Sequence, residues 1–199
     1  VTCTSLWRFE TLPAAGSDPA TTPGTAYDND DAGLAKWVDQ DPDEKRLLVI
    51  EGMLSSSNVQ GRIFLYDRLV GVSGLSLSST GDKTVSSTAL PRYTDGKGVQ
   101  AWLEITTSTT VTAPIVSINS YTDQDGNTGA AGPTLTFPAA ATVGNSPIGP
   151  LPLADGDYGI QAVSTLNVAT AASAGACNLV LLKPLAQLSI SSVSGHFDL

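Results

Sequence analysis

The chain has 199 residues, 41% of them hydrophobic and only 15% charged, so it is long enough for one domain with a sizeable core and too apolar for general disorder. A formal net charge of −9 excludes a basic nucleic-acid-binding face, and no stretch is long and apolar enough to span a bilayer. The only histidine, His196, stands three residues from the end, so acid–base chemistry lacks its usual carrier.

Residues 1–44 read as an extended N-terminal arm. Pro13, Pro19, Pro23 and Pro42 with Gly16 and Gly24 favour turns and extended chain. Among them stand Trp7, Phe9, Tyr27 and Trp37, too apolar for a free linker, and these are predicted to lie against a neighbouring subunit. Over 28–44, Asp28, Asp30, Asp31, Asp39, Asp41, Asp43 and Glu44 are opposed only by Lys36, which reads as a solvated acidic stretch. One short helical turn over 30–38 is predicted, with Asp30 or Asp31 as its N-cap.

From residue 45 onward the pattern is strand, turn, strand. Strands are predicted over 47–54 and 62–69, then over 72–78 and 84–90 about a turn at Ser79, Thr80, Gly81 and Asp82. Over 99–105 the alternation is clean: Val99, Ala101, Leu103 and Ile105 point one way, Gln100, Trp102 and Glu104 the other. Further strands are predicted at 115–121, 134–137, 158–166, 167–171, 178–183 and 185–193. With no long amphipathic helix, the fold class is all-β: an antiparallel β-sandwich over 45–199, jelly-roll-like, with the extended arm in front of it.

Tests for chemistry give little. Asp123, Gln124, Asp125, Gly126 and Asn127 resemble the opening of a calcium loop, but the sixth and twelfth positions are Thr128 and Thr134, so a hairpin turn is preferred. Glu51, Asp67, Glu104, Asp155 and Asp157 offer no recognisable acid pair, and the serines lack a positioned base. No catalytic residue, metal ligand or cofactor is assigned. Trp102, on the polar face of its strand, is the one candidate to face a ligand, as a carbohydrate-stacking platform; packing in an interface, or on the second face of a closed sandwich, is the preferred reading. Cys177 sits in an apolar run and reads as a small buried hydrophobe, whereas Cys3 reads as exposed.

The phrases Leu65-Tyr66-Asp67-Arg68-Leu69, then Arg92-Tyr93-Thr94-Asp95-Gly96-Lys97-Gly98-Val99-Gln100-Ala101-Trp102-Leu103-Glu104-Ile105, then Ser120-Tyr121-Thr122-Asp123-Gln124-Asp125-Gly126 carry a resemblance. Together with the stretch 150–168, their order resembles virion structural proteins of tailed bacteriophages, of the head-decoration or minor capsid kind. The resemblance spans about 61–182. It implies a non-enzymatic protein on the capsid exterior, assembled in the host cytoplasm. Such a protein would act as a homotrimer that stabilises the shell by bridging subunits of the major capsid protein, without nucleic acid or membrane. The alternative is a receptor- or glycan-binding module of a phage tail or head spike, with Trp102 at the sugar.

Overall fold

The computed structural model describes residues 19–21, 23–28, 31, 49–53, 61–110, 112–141, 148–190 and 194–198. Trp7, Phe9, Trp37, Cys3 and the expected helical turn lie outside them, Asp31 excepted. Among the described residues the secondary structure consists of β-strands.

One sheet takes the order β1–β3–β10–β5, from Thr25–Ala26, Gly61–Ser76, Ala176–Ile190 and Gln100–Thr107. A second takes the order β4–β9–β6–β7, from Gly81–Thr84, Ile160–Thr170, Ile115–Asp123 and Thr128–Ala130, with β8 (Leu135–Thr136) also on β6. A separate pair joins β2 (Val49–Met53) to β11 (Ser194–Asp198). All pairings are antiparallel, and the two larger sheets pack face to face as a β-sandwich, in agreement with the sequence reading.

The core forms where alternation predicts it. On β5, Ala101, Leu103 and Ile105 are buried and face Val116, Ile118, Leu166 and Val168 of the other sheet. Each of these side chains except Ala101 contributes about 1.5–3 kcal/mol when taken out of water, before entropy is counted. On β9 the inward set is Ile160, Val163, Leu166 and Val168 rather than every second residue, because its ladder with β6 shifts register at several points.

Three expected breaks do not occur. β3 runs through Gly71 as one strand of 16 residues, because Gly71 lies under Pro19 and Tyr27, where a side chain would have no room. The segments 158–166 and 167–171 merge into β9, an 11-residue strand. β10 continues through Pro184, which falls beyond the end of β5, at a register shift opposite Tyr66, where the missing N–H interrupts no central ladder. The expected strand at 84–90 is the reverse case. β4 stops at Thr84, and the Ser87 hydroxyl then takes over the pairing, accepting from Val163 N–H at 2.9 Å and donating to its carbonyl at 3.0 Å. Three strands escaped the sequence reading: β1, inside the segment read as an extended arm, β7, which returns directly from the Asp123 turn, and β11.

β10 is buried on six consecutive residues, Cys177 to Leu182. Cys177, Leu179 and Leu181 belong to the inter-sheet core, whereas Val180 and Leu182 look outward, beside Trp102 and Gln100. What covers that outer face positions the candidate site.

Candidate functional site

The cover begins with the segment 19–28. β1 pairs with β3, and Pro19 and Tyr27 both close on Gly71, within 3.1 Å of the position a Cβ would take there. Tyr27, read from the sequence as a contact with a neighbouring subunit, instead packs within its own chain and is 6% exposed. The Arg68 guanidinium carbon lies 4.7 Å from its ring centroid, a cation–π contact. Arg68 also grips Glu104 of β5 through two bonds, at 2.5 and 3.0 Å, reaching across β10. Burial opposes charge on Arg68, but the Glu104 carboxylate outweighs it, and its pKa is raised. Arg92 makes a second fork, to Asp67 at 2.9 and 2.6 Å, which raises its own pKa. Asp67 and Glu104 are thereby committed to ion pairs rather than to acid chemistry.

Beyond these pairs, β5 ends at Gln100 while β3 and β10 continue as a two-stranded ribbon, and the step between them opens a cleft of about 490 Å³. Its walls carry Phe64, Tyr66 and Trp102, the amides of Gln100 and Gln187, and Leu185, and among the described residues no charged side chain lines it. Tyr66 meets Trp102 edge to face with centroids 5.5 Å apart, and Phe64 stacks on Tyr66 at 5.9 Å. Trp102 donates its indole N–H to Gln100 Oε1 at 3.2 Å. Gly149 presses on the indole so closely that a Cβ there would stand 3.0 Å from Cδ2. The indole is therefore fixed in direction by one hydrogen bond and two packing contacts. Burial also pushes the Tyr66 phenol above its ordinary pKa.

Of the residues singled out by sequence, Trp102 is thus at this cleft, and Tyr27 is on the same outer face, within its own chain. Phe64, Tyr66, Gln100 and Gly149 were missed. Period-two alternation places Phe64 with Tyr66 and Gln100 with Trp102, but the register of β10, which lies between the two pairs, decides that they meet.

The Asp123 segment is a turn. Its carboxylate accepts from the N–H groups of Asp125 and Asn127 at 2.8 and 2.9 Å and from the Asn127 amide at 2.8 Å. The Asn127 bond leads the effects that hold its pKa below the usual carboxylate range. Tyr121, fully buried, donates its hydroxyl to Asp157 and accepts from Ala154 N–H at 2.9 Å, tying the 154–157 turn to β6. Among the described residues no three His, Cys, Asp or Glu side chains converge as a metal site would require.

Comparison with protein-family models, curated proteins and solved structures finds no match to this chain.

Proposed function

We propose that this chain is a non-enzymatic structural protein of a tailed-phage virion. It would sit on the capsid exterior as a homotrimer and bridge neighbouring subunits of the major capsid protein. The observation that carries this reading is the ribbon. Among the described residues, 61–67 of β3 and 183–190 of β10 pair only with each other. Phe64 and Leu185 on it are 46% and 52% exposed.

A two-stranded ribbon is marginal by itself, and its open edges invite another chain. Large apolar side chains left half in water on such a ribbon gain about 25 cal/mol for each Å² covered on docking. The resemblance in phrase order supplies the identity of the other chain. It also places Asp67, Arg68, Arg92 and Glu104, which brace the base of the ribbon, within the phrases that carry that resemblance. Trp7, Phe9 and Trp37 would add contacts from the arm.

Co-sedimentation of the purified protein with empty capsids tests the reading. The intact chain is expected to pellet with shells, and the double variant Phe64→Glu, Leu185→Glu to stay in the supernatant while keeping its thermal transition. An intact chain that ignores shells, or a double variant that binds them equally well, sinks the proposal.

A further inference from the structure

We infer that the cleft over Trp102 is a binding site for an uncharged glycan, presenting a pyranose ring to the indole. This goes beyond the capsid role and does not rest on it; because Phe64 and Leu185 belong to both surfaces, a sugar and a capsid subunit would compete for the cleft.

Four features of the cleft select that chemistry. Its volume of about 490 Å³ falls within the roughly 300–1,000 Å³ that small-molecule sites occupy. Its aromatic rings are oriented rather than loosely collapsed. Gly149 and Tyr66 brace the indole, and Phe64 extends the aromatic wall at 25° to the Tyr66 ring. Rings held this way can meet the C–H side of a sugar without paying an ordering cost on binding.

The third feature is the pair of amides. Gln100 uses its Oε1 on the Trp102 N–H, which leaves its NH₂ to donate, and Gln187 brings both a donor and an acceptor. Hydroxyls, which both give and take hydrogen bonds, are the matching ligand groups. A purely apolar ligand would leave these amides unpaired.

Charge is the fourth. Among the described residues, none of the acidic or basic side chains lines the cleft. The nearby Arg68 and Arg92 fork onto Glu104 and Asp67. A sialic or uronic acid would lose water here and meet no free cation among the described residues. The ligand is therefore a neutral sugar.

The test is a panel of neutral and acidic oligosaccharides titrated against the full chain, followed by saturation-transfer NMR and by tryptophan fluorescence. At least one neutral glycan is expected to bind and to shift the emission. Trp102→Ala should weaken binding by at least about tenfold, as removal of a central aromatic anchor does. Gln100→Ala should weaken it less, and Trp102→Phe, which keeps a ring for packing, should retain part of it. Thermal melts of each variant separate lost binding from lost folding. The inference is overturned if no neutral glycan binds, if acidic glycans bind in preference, or if a folded Trp102→Ala binds as well as the parent. It is equally overturned if Trp102→Ala detaches the protein from shells and no sugar binds, since the cleft is then a subunit contact. A chain that binds sugar but ignores shells leaves this inference standing and removes the capsid role.

Discussion

Arg92 bonds the backbone carbonyl of Tyr27 at 3.0 Å, with the same guanidinium that forks onto Asp67. Arg68 meanwhile lies over the face of the Tyr27 ring. Two arginines on different parts of the chain therefore fix one residue of the N-terminal segment, by its main chain and by its side chain. The Tyr27 N–H completes the attachment by bonding the Leu69 carbonyl at 2.9 Å.

Arg92→Ala should loosen that attachment. The Arg92 and Asp67 side chains keep 34% and 21% of their exposure, so the ion pair itself contributes at most about 1 kcal/mol. Leaving the Tyr27 carbonyl without its donor adds about 1 kcal/mol more. Arg92→Lys keeps the charge but not the fork and should fall between. Urea midpoints measure the total. Hydrogen exchange at the Tyr27 amide should rise while exchange on β6 and β9 stays the same, and a uniform rise would show that the contact is not local.

How far the sequence led is clear from particular residues. Strict alternation on β5 named Ala101, Leu103 and Ile105 as inward and Trp102 as outward, because a half-buried strand writes its two faces directly into its period. The turn at Asp123 was legible because the side chain that closes it lies within four residues. Gly71 and Pro184 misled because both punctuate a chain only where the neighbours need a side chain or an N–H, and here they do not. The placement of Tyr27 depends on Arg68 and Arg92, 41 and 65 residues away. The cleft was half legible for the same reason: Trp102 is local information, and its partners Tyr66 and Phe64 are a matter of register across β10.

Gly149→Ala should distort the cleft without replacing a lining aromatic. The new methyl would stand 3.0 and 3.1 Å from Cδ2 and Cε3 of Trp102, and Gly149 has φ = 151°, outside the range where side chains sit comfortably. Overpacking together with backbone strain costs about 1–3 kcal/mol. The indole must turn, which breaks its bond to Gln100, so the near-UV circular dichroism of the tryptophans is expected to change along with the melting temperature. A variant with the parent's spectrum and stability would mean that the indole is not held from this side.

Cys177 should behave as an inert thiol. Its side chain is fully buried in the inter-sheet core, and burial pushes its pKa up to about 12. The reactive thiolate is thus disfavoured at neutral pH, and access requires β10 to part from its neighbours. In a Cys3→Ser background, a thiol reagent at pH 8 is expected to label Cys177 only at the rate of global unfolding. Labelling within minutes in native buffer would reveal a local opening of β10.

Alkaline pH should destabilise the fold through Tyr121. Burial, and next its bond to Asp157, push the phenol from 10.0 up to about 12, against the opposing pull of the Ala154 N–H. The folded state therefore holds this proton more tightly than the unfolded chain does. The resulting stability is fully present below pH 10 and is lost as pH rises through about 12. Cys177, raised from 9.0 to about 12, adds to the loss over an overlapping range, and Tyr66 acts in the same direction. Tyr121→Phe removes one contributor. At pH 7 it should cost about 1–3 kcal/mol, because Asp157 loses its donor and the Ala154 N–H its acceptor. Between pH 10 and pH 12, however, its stability should fall less steeply than that of the parent, so the two curves converge. Urea titrations at pH 7, 9 and 11 measure both effects on the same pair of proteins. Parallel curves across that range would mean that the Tyr121 phenol titrates alike in the folded and unfolded states, and that the alkaline loss belongs to Cys177 and Tyr66 alone.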